Sequence, residues 1–248
     1  MANLTQLKML EGLDGFLLVD KPVGIAFSTV VKTVKRKFNL VKVGHGGSLD
    51  AQASGLFILL IGDANKFVGD VMGADREYTG TLKRGETTDT GDAWGRIQSP
   101  ANGTSLGEDL SSEHQSIGAS DQEKIDQLFA SFRGDVFQTE PRYCAIRKEG
   151  TAEYEVVDTG EHKQFLAHVY RLQATAVDGD AISFELKASK GVIVRALAQD
   201  MGATLTSLRR TKIGKFDVKD AIAFDKLLTI EMKDFASCVV PLSRALRS

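Results

Sequence analysis

The sequence predicts an α+β fold, a largely antiparallel mixed sheet flanked by helices. Three observations carry this expectation. Apolar runs of strand length, GFLLV at 15–19 and LFILLI at 56–61, are interspersed with segments of helical periodicity at 28–39 and 192–205. Strand and helix signals are mixed without strict βαβ order, which speaks against an all-parallel sheet. Two alternating segments, 165–176 and 181–187, flank Asp178-Gly179-Asp180, the composition of a hairpin turn.

Taken in order, residues 15–19 read as a short buried strand that ends at Asp20-Lys21-Pro22. Ser28 reads as the N-cap of a helix over STVVKTVKRKFN, with Val30, Val31, Val34 and Phe38 at helical spacing and lysines on the other side. The glycine-rich turn Gly44-His45-Gly46-Gly47 then leads into Ser48-Leu49-Asp50. The unbroken apolar run 56–61 is the pattern of a strand buried on both faces. Asp63 reads as the cap of a helix through ANKFVGDVM, and EYTGTLK (77–83) alternates like a strand. Residues 99–119 are polar and Gly/Ser-rich, the composition of a surface loop. A helix starts at Ser120, with Glu123 completing a capping box. Residues 192–205 read as a helix that turns Val192, Val194, Leu197 and Met201 toward the core. With no internal repeat and no sharp boundary, 1–248 reads as a single domain.

Composition excludes several classes. Of the 248 residues 42% are hydrophobic and 26% charged, as in an ordinary globular chain, and no apolar run approaches the roughly 20 residues of a membrane span. The N-terminus lacks a basic segment followed by an apolar one, so no signal peptide is expected. Cys144 and Cys238 are far apart and match no metal spacing, which fits a reduced cytoplasmic setting. Asp89-Thr90-Gly91-Asp92 lacks the glutamate and the alternating oxygen ligands of a calcium loop and reads as an acidic turn, so no metal is expected. The net charge of −2 tells mildly against nucleic acid, but the distribution is uneven. Residues 32–42 carry Lys32, Lys35, Arg36, Lys37 and Lys42 without an acid. Residues 190–215 carry Lys190, Arg195, Arg209, Arg210, Lys212 and Lys215 against Asp200 alone. Charge by itself favours ordinary solvated helix faces over a phosphate-binding surface.

The segment GHGGSLDAQASG (44–55) admits two chemical readings. A phosphate-cradling loop would need a Gly-Lys-Ser/Thr ending or a G-x-G-x-x-G before a helix, and it has neither. A tight loop presenting His45 and Asp50 beside a buried strand remains, and a poorly hydrated Asp can serve as nucleophile or base. Taken alone, Asp50 as the cap of a turn is the plainer reading.

Seven segments in the same order resemble the TruB-type tRNA pseudouridine synthases. GFLLVDKPVG (15–24) resembles the family's opening motif, and 44–55 its G-H-x-G-x-L-D-x-x-A-x-G catalytic motif. GDANKF (62–67) is similar to G-x-A-T-K-F, and REYTGTLKRGETTDTGDAWGRI (76–97) to K-x-Y-x-x-x-x-x-L-G-x-x-T-D-T-x-D-x-x-G. QTEPRYCAIRKEGTAEYEVVDTGE (138–161), SKGVIVRALAQDMG (189–202) and LRRTKIGKF (208–216) resemble the remaining three.

The resemblance implies a pseudouridine synthase fold with a thumb-like insertion over about 138–165. It also implies isomerisation of a uridine in the T-loop of tRNA, at position 55, after the base is flipped out. Asp50 would be the catalytic carboxylate, acting as nucleophile or base, and Arg195 the arginine that pairs with it. Tyr78 would stack on the uracil, its hydroxyl assisting loss of the C5 proton. His45 would fill the space left by the flipped base, and Leu208 would pack beside the target base. Lys21 and Lys66 would contact backbone or phosphate, and Lys190, Arg209 and Arg210 would complete the RNA-binding set. The rearrangement needs neither energy input nor electron transfer, so no cofactor is expected. The expected partner is the tRNA T-stem-loop, bound by a monomer without an obligatory protein partner. The chain has little room after 228 for the C-terminal PUA domain of many relatives, so a short form is expected.

Departures from the family pattern are Ala51 and Gln52 for Pro-Leu, Ile193 for tyrosine, Glu140 for the first proline of P-P, Asp158 in the thumb, and a short 202–208 stretch. A second function compatible with these residues is an RNA-binding chaperone of the same fold that has lost turnover.

Overall fold

The computed structural model describes residues 12–98, 119–139, 143–148, 151–156 and 164–245. In chain order the elements begin with β1 (Gly15–Lys21), α1 (Phe27–Lys37), β2 (Val43–His45), β3 (Ser54–Ile61), a 3-10 segment Gly62–Phe67 and α2 (Val68–Gly73). Next come β4 (Arg76–Arg84), β5 (Thr87–Thr88), β6 (Ile97–Gln98), α3 (Ala119–Ser131), β7 (Gly134–Thr139), β8 (Tyr143–Lys148) and β9 (Thr151–Val156). Then follow β10 (Gln164–Asp178), β11 (Ala181–Ala188), α4 (Val194–Asp200), β12 (Ala203–Ile213), β13 (Phe216–Asp217) and β14 (Ile222–Ala223). The last are α5 (Phe224–Thr229), β15 (Val239–Pro241) and α6 (Leu242–Ala245). The chain divides into two compact units, the first made of residues 1–74 and 210–248, the second of 75–209.

The first unit is built on β1 and β3. They pair antiparallel from Gly15 opposite Ile61 to Lys21 opposite Gly55. β15 adds antiparallel and β14 parallel to β1, while β2 pairs with β3. Leu56 to Leu60 are fully buried, as the unbroken apolar run required. Phe16, Leu18, Leu56, Ile58 and Leu60 form one cluster with Val71 and Ile213. The helix expected from Ser28 starts one residue earlier, at Phe27, after Ala26, which offers no side-chain cap. Phe27 packs its ring against His45 and Phe57, and that burial draws the first turn back past Ser28. Val30 and Val34 are buried, and Phe38 stacks on Phe235 at 3.7 Å. Lys35, Arg36 and Lys37 sit in the last turn, where the helix dipole favours cations. The helix expected after Asp63 is a 3-10 segment from Gly62, followed by α2. Asp63 does not cap it. Its own N–H donates to the Asp14 carboxylate at 2.6 Å, and its side chain pairs with Lys66.

In the second unit β4, β11, β10 and β7 lie side by side in antiparallel pairs. The expected hairpin is β10–β11, longer than the sequence pattern, with register shifts near Tyr170 and Thr175. β11 buries every second residue, Ile182, Phe184, Leu186 and Ala188. Ile125 and Phe129 of α3 are fully buried, and α3 packs on β10. The helix expected over 192–205 is shorter, Val194–Asp200, and Ala203 already opens β12. Leu205 exchanges backbone hydrogen bonds with Gly91 and Ala93, and β12 runs beside β4 in the sheet, which makes this stretch strand. Gln138 and Phe165, near the ends of the expected thumb, are paired across β7 and β10. Between them β8 and β9 form an antiparallel hairpin, Tyr143 opposite Val156 and Lys148 opposite Thr151. Glu140, Asp158 and residues 99–118 of the polar loop lie outside the described residues. Among the described residues no helix is long and apolar enough to cross a membrane.

Candidate active site

Of the residues singled out by sequence, Lys21, His45, Asp50, Lys66 and Arg210 belong to the first unit. Tyr78, Lys190, Arg195, Leu208 and Arg209 belong to the second.

In the first unit the segment 44–55 runs from β2 into β3. His45 is half-buried, its ring 5.1 Å from that of Phe27 and 5.9 Å from that of Phe57. Its Nδ1 accepts from the Gly47 N–H at 3.3 Å, which makes Nε2 the protonated nitrogen of the neutral ring. Asp50 is half-buried, and its carbonyl accepts from the Ala53 N–H at 3.1 Å, closing a tight turn. The turn is held from inside. Lys21 has no exposed surface, and its ammonium donates to the carbonyls of Pro22 and Ile25 at 2.9 Å and of Ala51 at 3.4 Å. Three carbonyls match the three donors of an ammonium. Arg210 is 2% exposed; its Nε donates to Leu56 and its Nη1 to Ser48, each at 2.8 Å. Gly55 lies at φ +103°, and a Cβ there would fall 2.3 Å from the Arg210 carbonyl, so only glycine fits. Lys66, by contrast, is exposed and pairs with Asp63 at 2.7 Å.

Burial pushes the Lys21 ammonium down to about 8; the Asp50 carboxylate raises it and Arg210 lowers it further. The ordinary value is 10.5. Between those pH values the unfolded chain holds a proton that the folded chain has released, so stability rises with pH there. Below about pH 8 the full cost of the buried charge is present. Thermal melts are expected to show wild type gaining on Lys21→Met across that window. Parallel curves would show that burial does not lower the Lys21 ammonium.

Gln52, two residues after Asp50, is 6% exposed, and its Nε2 is buried without a hydrogen-bond partner. An unmet buried amide costs about 1–3 kcal/mol. Gln52→Leu is therefore expected to stabilise the protein by about 1–2 kcal/mol and to raise Tm by several degrees. A lower Tm would show that ordered water meets the amide.

In the second unit Tyr78 on β4 is 6% exposed and lies opposite Leu186 of β11. Arg195 on α4 is 4% exposed. Its Nη1 donates to the Thr90 carbonyl at 2.7 Å, and its Nε lies 3.8 Å from Asp92 Oδ2. The turn that receives it is tightly organised: Asp92 Oδ1 accepts from Thr90 Oγ1 at 2.8 Å and from the Trp94 N–H at 3.0 Å. Gly91, at φ +77°, leaves room for the Arg195 carbonyl, which a Cβ would approach to 2.9 Å. Gln199, one turn on, donates to the Thr88 carbonyl at 2.9 Å. At the start of α4 the buried Gln138 exchanges two hydrogen bonds with the backbone of Ile193, at 2.9 and 3.1 Å. Leu208 is 6% exposed, Arg209 half-buried and Lys190 exposed.

The sequence does not single out Thr90 and Asp92, which hold Arg195, or Gln138, which holds the backbone of Ile193. Asp92 read as part of an acidic turn, although an acid 103 positions before a buried arginine carries no local signal of pairing. Among the described residues no group of three or more His, Cys, Asp or Glu is placed to hold a metal ion.

Known proteins match residues from both units. The family described as TruB family pseudouridylate synthase (N terminal domain) matches residues 35–194. The tRNA pseudouridine synthase B of Chromohalobacter salexigens is 32% identical over 243 residues, 94% of this chain and 75% of that protein. That of Opitutus terrae is 33% identical over 242 residues, 94% of this chain and 95% of the relative. Among solved structures, a chain of a Cbf5-Nop10-Gar1 complex superposes with a TM-score of 0.66 at 22% identity. That match covers 93% of this chain, which spans 61% of the other's length, and it shows that the two chains share a fold. The chain belongs to the TruB family of pseudouridylate synthases.

Proposed function

We propose that this protein isomerises uridine to pseudouridine in the T-loop of tRNA, at position 55, with Asp50 as its catalytic carboxylate. Family membership makes it a pseudouridine synthase, an isomerase acting on RNA uridine. The tRNA substrate follows the names of its relatives. The reaction breaks the bond from uracil N1 to the ribose, turns the base and joins C5 to the same carbon. A proton leaves C5 and one is gained at N1, so atoms balance without a co-reactant.

The observation that carries the reading is the setting of Asp50. It is a half-buried carboxylate on a turn whose carbonyls are gripped by buried Lys21 and Arg210. A carboxylate fixed in this way meets the reacting nucleotide without reorganising, whether as nucleophile or as base. Tyr78 supplies a ring for the flipped uracil, and Arg195 a cation already oriented by Thr90 and Asp92. His45 takes the place of the flipped base, and Leu208 packs beside the target. Lys190 and Arg209 are offered to RNA phosphate. No cofactor enters the reaction, and the protein acts as a monomer in the cytoplasm.

The test is release of tritium from tRNA labelled at uridine C5, without metal or nucleotide. Wild type is expected to release it to water in proportion to pseudouridine formed. Binding without release would overturn the reading and leave an RNA-binding role.

A further inference from the structure

Arg210 enters the sequence pattern as one of a basic pair, Arg209-Arg210, in a cluster suited to phosphate. Its position is different. It is 2% exposed, and two of its donors are spent on the carbonyls of Ser48 and Leu56. Those carbonyls lie on either side of Asp50, two residues before it and six after. The backbone of Arg210 also presses on Gly55, where even a methyl group would collide. With Lys21 on the Ala51 carbonyl, the turn is fastened at three points by two buried cations.

We infer that Arg210 is a positioning residue for the reaction, a clamp that sets the place of Asp50, and that it does not contact RNA. The inference rests on the reading of Asp50 as the catalytic carboxylate. The planar guanidinium is needed because it reaches two carbonyls in fixed directions at once. A lysine at 210 keeps the charge but offers one compact group on a flexible stem. The turn then loses a fixed point, and a displacement of about 1 Å at a reacting group costs on the order of a hundredfold in rate.

Arg210→Lys and Arg210→Met test this against tritium release and tRNA binding over a range of salt. For Arg210→Lys, kcat is expected to fall at least about tenfold with KM within about twofold of wild type. The slope of log affinity against log salt is expected to stay as in wild type, because no phosphate contact is lost. Arg210→Met is expected to lose more in kcat, again without a change of slope. An unchanged kcat overturns the inference. So does a slope shallower by about one unit with kcat retained, the signature of a phosphate contact. If Arg210→Met does not fold, Arg210→Lys carries the test. If wild type itself makes no pseudouridine, the proposed function fails, and amide exchange then decides the clamp separately. Faster exchange at the Ala53 N–H in Arg210→Lys supports it, and exchange at the wild-type rate overturns it.

Discussion

Asp50→Asn is expected to lower pseudouridine formation by at least about three orders of magnitude while tRNA affinity changes less than about threefold. The substitution is nearly isosteric, and the turn survives it, because the bond to the Ala53 N–H uses the Asp50 backbone carbonyl. The side chain keeps its shape but loses its charge and its proton affinity. An amide neither attacks the sugar as a carboxylate does nor accepts a proton from C5, so both mechanistic roles for Asp50 fail together. A second effect follows from the neighbourhood. The Asp50 carboxylate favours the charged form of buried Lys21, against burial and Arg210. Without it that ammonium is harder to hold, and the variant is expected to melt slightly below wild type at neutral pH. The measurements are tritium release at saturating tRNA, a binding isotherm and a thermal melt. Product at the wild-type rate from the pure variant would remove Asp50 from the chemistry.

Strands were more legible than helix ends. The run at 56–61 and the hairpin around Gly179 announce themselves through burial and turn chemistry, both local properties of the chain. Helix α1 was visible from its periodicity, but its start was set by Phe27 packing on Phe57 and His45, contacts between residues far apart in sequence. The sequence pattern carries helix α4 past its end at Asp200, because Ala203 and Leu205 fit the apolar spacing of a continuing helix. Pairing with distant strands makes those residues strand: β12 lies beside β4 in the sheet, and Leu205 bonds to Gly91 and Ala93, more than a hundred positions earlier.

The same division holds at the site. The glycine turn carrying Asp50 was legible because positive φ values and close approach demand glycine at fixed places, as at Gly55. What fastens the turn was not. Lys21 and Arg210 have the sequence appearance of surface cations, and nothing local says that their heads point inward to carbonyls. Asp92 was hidden for the same reason. A carboxylate in a turn of threonines and glycines looks solvated until the helix bearing Arg195 is laid against it.

Asp92→Asn is expected to lower kcat by about a hundredfold and to destabilise the protein by several kcal/mol, about 3 in the usual range for one-sided loss of a buried pair. Arg195 and Asp92 are both nearly inaccessible, their side chains 5% and 8% exposed, so water cannot replace the lost charge. The Thr90 carbonyl still accepts from Arg195 Nη1, so the guanidinium keeps that fixed point and loses the one at Asp92. The asparagine can preserve the bonds that Asp92 Oδ1 takes from Thr90 and Trp94, which separates loss of the ion pair from collapse of the turn. Asp92→Ala removes both and is expected to be worse in stability. A purely structural role for Asp92 predicts that activity per folded molecule stays constant while Tm falls. A positioning role predicts that kcat falls at temperatures where the variant is fully folded, with KM for tRNA little changed. Measuring kcat and KM well below the variant's Tm distinguishes the two. A wild-type kcat under those conditions would confine Asp92 to holding the second unit together.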